Sequence, residues 1–259
     1  MLSTDALPPN AMNRRATERE RNKFRKVRNA ERHYSQQLVK VARHVNDLVN
    51  GLFDPTLPRV VGPLEQALRH YAELLRPWAR AVGARMLADV NQRDTKAWFA
   101  YSEELGLELR NQLTSAPVGD ALRRMLDEQV ELITSLPLEA GRRAQQLAME
   151  GLSSGRRPNE LREMILQTGH VTRSRAQLIA RTETAKAASG LTEVRARAVG
   201  SEGYIWRTVH DRVVRKSHRE MEGQYVRWNE PPEVDPGKRY HAGQFPNCRC
   251  WAEVVIPKD

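Results

Sequence analysis

The feature that most constrains this chain is a change of hydrophobic period at Gly203. Before it, apolar residues recur every three or four positions, the spacing of one buried helix face. After it they alternate, the spacing of a half-buried strand. The expected class is therefore α+β: an elongated N-terminal helical bundle followed by a smaller C-terminal α+β module with a few short antiparallel strands.

The helical part is preceded by residues 1–12, where Pro8-Pro9-Asn10 and the lack of a period predict a flexible arm. From Arg14 to Leu52 no proline occurs, and Phe24, Val27, Tyr34, Leu38, Val41, Val45, Leu48 and Leu52 make a seam, with Glu31 filling its gap. Asp54-Pro55-Thr56-Leu57-Pro58 breaks this helix. A second helix is predicted over 63–91, kinked at Pro77, because proline lacks the N–H its turn needs. A third follows over 94–113, and two more over 119–134 and 138–150, on either side of Pro137.

Gly151-Leu152-Ser153-Ser154-Gly155-Arg156-Arg157-Pro158 reads as a linker, dividing a helical domain, 13–150, from a terminal domain, 151–259. There the pattern predicts a short helix over 159–167 ended by Gly169. A longer one should run from an N-cap at Thr172 to Val199, closed by Gly200. Its stripe of Ala176, Ile179, Ala180, Ala187, Leu191, Val194 and Ala198 includes Glu183, a carboxylate that needs a partner. The arginines of 207–215 are the expected supply. Strands are predicted at 204–209, 224–228 and 250–256, with 231–237 as a loop.

A net charge of +10 and a pI near 10.0 point to an anionic partner, nucleic acid or an acidic protein surface. Much of the excess is local: residues 14–32 carry nine basic and three acidic side chains, a net +6. Arg14, Arg15, Arg19, Arg21, Lys23, Arg25, Lys26 and Arg28 are the candidate contacts to nucleic acid or to a capsid, and a solvated charged face is the other reading. Basic groups at a helix N-terminus oppose its dipole, so an anionic partner would steady this end. The sequence holds no apolar run of eighteen residues, so no transmembrane helix is expected, and the N-terminus lacks a basic-then-apolar leader.

Both cysteines, Cys248 and Cys250, lie one residue apart, too close to bond to each other without severe strain. This predicts a reducing, cytoplasm-like setting with thiols that are either idle or metal-bound. A Cys-x-Cys pair can place two thiolates on one metal ion; with His218, and His241, His210 or Asp211 as further donors, it could form a tetrahedral zinc site. Ordinary half-buried thiols are the plainer alternative. An effector-type enzyme, transferase- or nuclease-like, would instead gather Glu183, His218 and the nearby arginines around an open pocket.

Taken in order, Ile179-Ala180-Arg181-Thr182-Glu183, then Gly203, Trp206, Thr208, Asp211, Arg215-Lys216-Ser217-His218, Gly223 and Asn247-Cys248-Arg249-Cys250 resemble the phage Mu F-like family of minor head, or head-morphogenesis, proteins. The resemblance covers roughly 150–256. Phe245, and Ser217-His218, depart from residues common in that pattern. What it implies is a minor capsid protein, non-enzymatic, that associates with the portal or the major capsid shell, acts in head assembly in the host cytoplasm and contacts packaged double-stranded DNA. It also implies that Arg181, Thr182, Glu183, Trp206, Asp211, Arg215, His218, Asn247, Cys248 and Cys250 are signature or structural positions. No catalytic residue and no membrane partner are implied.

Overall fold

The structure, a computed structural model, describes residues 27–52, 61–105 and 109–256. The arm at 1–12, the break at 54–58 and the basic residues from Arg14 to Lys26 lie outside them; Arg28 opens the first helix. The α+β class holds. Helices α1 (Arg28–Leu52), α2 (Val61–Leu105), α3 (Arg110–Ser115), α4 (Val118–Ser153) and α5 (Pro158–Ala198) precede β1 (Gly203–Arg207), α6 (Lys216–Glu220), β2 (Tyr225–Arg227), β3 (Glu233–Asp235), β4 (Lys238–Arg239) and β5 (Trp251–Val255).

Three of the helices are longer than their sequence predicts, whereas the helix expected over 94–113 is divided between α2 and α3. α2, which holds Pro77 inside it as expected, runs on through the expected gap at 92–93, α4 through Pro137, and α5 through Gly169. Pro77 is exposed, so the carbonyl it leaves without a partner meets water. Asp94 is buried and bonded to Thr192 and Arg195 of α5, which holds α2 helical where a break was expected. Around Pro137, Ile133, Leu136 and Ala140 are buried. Each large apolar side chain so buried gains about 1.5–3 kcal/mol, enough together to offset a proline's cost of about 3 kcal/mol. Thr134 and Ser135 donate from their hydroxyls to the carbonyls of Val130 and Leu132 just before it. Gly169 is no terminator: a Cβ there would lie 2.0 Å from Asn46 Oδ1, so glycine lets α1 and α5 approach. Thr172 likewise caps nothing; it is buried mid-helix and donates to the Thr168 carbonyl at 2.8 Å. The predicted linker shrinks to the four residues 154–157.

The expected end of α5 is present. Gly200 adopts φ 78°, Gly200 N–H donates to Arg197 O at 3.1 Å, and Ser201 N–H to Ala196 O at 2.9 Å, a Schellman closure. Near this end the buried stripe turns to Thr192, Arg195 and Ala196, leaving Val194 and Ala198 half-exposed.

Contacts gather the chain into two compact units, each discontinuous. One comprises Glu31–Met86 and Met125–Arg181. Its core includes Tyr34, Leu38 and Val45 of α1, Leu64 and Leu68 of α2, and Ile133 and Leu136 of α4. Within it the Tyr34 hydroxyl donates to Gln129 at 2.7 Å, both groups buried. The other holds, among the described residues, the chain up to Ala30, Leu87–Arg124 and everything from Thr182 onward. Its antiparallel sheet has the order β2-β1-β5, with Tyr204 opposite Val226 on one side and Val254 on the other. The expected strands are thus all present, β1 starting one residue earlier and ending two sooner, the other two trimmed at both ends. The stretch predicted as a loop carries the β3–β4 hairpin, turned by Gly237 at φ 71°. Trp98 from α2 and Tyr204, Trp206, Trp228, Val226, Phe245, Ala252 and Val254 form this unit's core, with both cysteines in it.

Candidate functional site

Two local structures bring His218, Cys248 and Cys250 together. The first is the one-turn helix α6, which buries His218 to 1 % exposure. The second is the turn Phe245-Pro246-Asn247-Cys248, closed by Cys248 N–H donating to Phe245 O at 2.9 Å. Pro246 fits the second position of such a turn and Asn247, at φ 60°, the third, where asparagine tolerates a left-handed backbone. The Asn247 N–H is held by the buried Thr182 hydroxyl of α5 at 3.0 Å. Beyond the turn, side chains two apart face the same way. Cys248 and Cys250 are accordingly buried, while Arg249 between them is exposed and pairs with Asp211 at 2.7 Å.

His218 Nδ1 lies 3.4 Å from Cys248 Sγ and 3.5 Å from Cys250 Sγ. The Cys250 N–H also points at Cys248 Sγ, 3.4 Å away. The two thiols titrate as one system. The hydrogen bond from Cys250, and then the imidazole of His218, hold Cys248 down to about 4 against the effect of burial, and the proton stays on Cys250. The Trp206 indole N–H is buried without a hydrogen-bond acceptor. The imidazole stands nearly perpendicular to the rings of Trp206 and Phe245, at 5.6 and 5.5 Å between centroids, and its Nε2 is buried without an acceptor. Arg215 covers Phe245, its guanidinium 4.6 Å from the ring centre, and donates to the Pro246 carbonyl.

The other donors named from the sequence have different tasks. His241 is buried between Tyr204 and Trp228, 3.3 Å from the tyrosine hydroxyl through Nδ1 and 3.2 Å from the Trp228 carbonyl through Nε2. Only the tautomer with Nε2–H suits both contacts, and burial pushes its pKa down. His210 is exposed beside Glu222, and Asp211 serves Arg249 and the N–H of Val213. None of the three joins the cluster. Glu183 receives Lys186 of its own helix at 3.2 Å, and not an arginine of 207–215: Arg207 is engaged by Glu222 and Glu253, and Arg215 by Pro246. Arg181 pairs with Glu31 at 3.3 Å. Sequence reasoning missed Glu222, whose carboxylate accepts from the Thr208 N–H at 2.6 Å and meets Arg207, tying the end of β1 to the chain after α6. Its distance from β1 in sequence left no signal.

The fold and this cluster define a class: a helical protein whose terminal α+β module is closed around a buried two-thiol, one-imidazole centre. Comparison with known proteins goes a step further. Residues 143–253 match the family described as Phage Mu protein F like protein, so this part of the chain is similar to that family. An uncharacterised protein of Haemophilus influenzae is 30% identical over 156 residues, 60% of this chain and 33% of the relative. The chain thus spans about a third of the length of that relative. No solved structure matches the chain significantly. Among the described residues no helix is long and apolar enough to cross a membrane.

Proposed function

We propose that the protein is a minor head protein of a tailed bacteriophage, built in few copies into the capsid at the portal vertex or inner shell. The observation that carries this reading is the match of residues 143–253 to the phage Mu F-like family. The charge supports it: +10 overall, with +6 over residues 14–32, suits a component that meets packaged double-stranded DNA or an acidic lumen. The signature residues support it as well, because their visible work is holding the module together. Thr182 fixes Asn247, Arg215 covers Phe245, and Asp211 pairs with Arg249.

The test is to measure copies of the protein per particle in procapsids and mature heads, and its co-purification with portal and with major capsid protein. A small fixed number that follows the portal supports the proposal. Absence from particles overturns it, and transfer or hydrolysis of nucleotides by the free protein would then favour the effector-type enzyme.

A further inference from the structure

We infer that His218, Cys248 and Cys250 bind one divalent ion of the zinc class, through Nδ1 and two thiolate sulfurs, pinning α6 to the segment that enters β5. The three donor atoms all lie within 4.8 Å of one another and all three residues are buried. A zinc ion about 2.3 Å from sulfur and about 2.0 Å from nitrogen sets its tetrahedral ligand atoms about 3.5–3.8 Å apart. The nitrogen–sulfur separations of 3.4 and 3.5 Å are those of such a tetrahedron before any adjustment.

Hydrogen bonding does not account for the arrangement as well. One imidazole nitrogen has either one lone pair or one hydrogen, and here it faces two sulfurs at once. A metal ion uses all three donors. The surroundings suit sulfurs that carry charge, since the Cys250 N–H is directed at Cys248 Sγ, 3.4 Å away. The ring of His218 is fixed by packing between Trp206 and Phe245, in place of an acceptor on its far nitrogen. Burial also separates this centre from a reactive-thiol site, since Cys248 is only 3 % exposed. Among the described residues no fourth histidine, cysteine or carboxylate joins the group, so the remaining position falls to water or a small anion.

The full chain, purified without chelator or histidine tag, should carry about one zinc ion per molecule. Chelation should lower its thermal midpoint and zinc should restore it. Cobalt(II) added to the metal-free protein should give thiolate-to-cobalt charge-transfer absorption, and X-ray absorption should count two sulfurs and two lighter ligands. Cys248→Ser and Cys250→Ser should lose the ion, while His210→Ala and Asp211→Asn keep it. Because the serine variants need not fold, the wild type decides. Natively folded wild-type protein that neither carries zinc nor gives the cobalt charge-transfer band overturns the proposal, as does full zinc content in a folded Cys250→Ser.

Discussion

At the scale of single residues, the pair Asp94–Arg195 shows what burial does to charge. Both side chains are 5 % exposed, and Arg195 also reaches Asn91 and Thr95, each at 2.7 Å. Burial pushes the Asp94 carboxyl up to about 6, although Arg195 and Thr192 pull it down. That is the titration view of a general fact: desolvation of a buried ion pair can exceed its Coulomb gain. The folded pKa stands above the ordinary value of about 3.9, so the folded state holds this proton more tightly. The stability it contributes is fully present below about pH 4 and is lost as pH rises through about 6. Asp94→Asn should flatten the profile of thermal midpoint against pH in that window; an unchanged slope would refute the assignment. Removing one partner is another matter, because it leaves a buried charge alone. Arg195→Met should cost about 3–5 kcal/mol in urea unfolding, and Asp94→Leu added to it should recover part of the loss. Equal losses in the single and double variants would sink this account.

At the scale of elements, two glycines hold positions that a side chain would occupy only at a cost. Gly200 ends α5 at φ 78°, where an L-side chain costs about 1–2 kcal/mol, so Gly200→Ala should lose that much in denaturant titration. Gly203 begins β1 where a Cβ would lie 2.4 Å from the Val226 carbonyl oxygen and 2.6 Å from the Tyr225 ring. Backbone cannot yield as a side-chain end can, so Gly203→Ala should separate β1 from β2. Amide exchange should quicken at Val226 and Trp228, whose N–H groups face β1, in that variant; unaltered protection there would count against the clash. These glycines were legible in the sequence, the first as a helix stop and the second as the change of period. Pro137 and Gly169 were misleading for one reason. Local propensity is weak beside tertiary burial, and the spacing of apolar residues does not say which interruptions a partner will cover. The metal-type cluster was half legible. The Cys-x-Cys spacing allowed two thiolates on one metal ion and the Mu F-like order marked His218, but the exclusion of His241 rests on Tyr204 and Trp228, which only the folded chain brings to it. Asp94, likewise, has partners about a hundred residues away.

At the scale of the whole molecule, the question is what the uneven charge is for. A net +10 spread evenly would serve solubility; instead residues 14–32 hold +6 of it. If that segment meets packaged DNA, as the proposed function holds, its arginines and lysines displace counterions from phosphates. Binding is then independent of sequence and falls steeply with salt. Six neutralised phosphates predict a loss of roughly a thousandfold in affinity between about 50 and 200 mM salt, from a slope of about −0.9 per phosphate. Replacing Arg14, Arg15, Arg19, Arg21, Lys23, Arg25, Lys26 and Arg28 by glutamine should make that dependence shallow, while leaving zinc content and the unfolding midpoint of the terminal module unchanged. Fluorescence anisotropy with a short duplex across a salt series measures the slope directly. A wild-type affinity that does not move with salt would remove DNA as the arm's partner. A slope equally steep in the variant would assign the binding to the remaining basic surface.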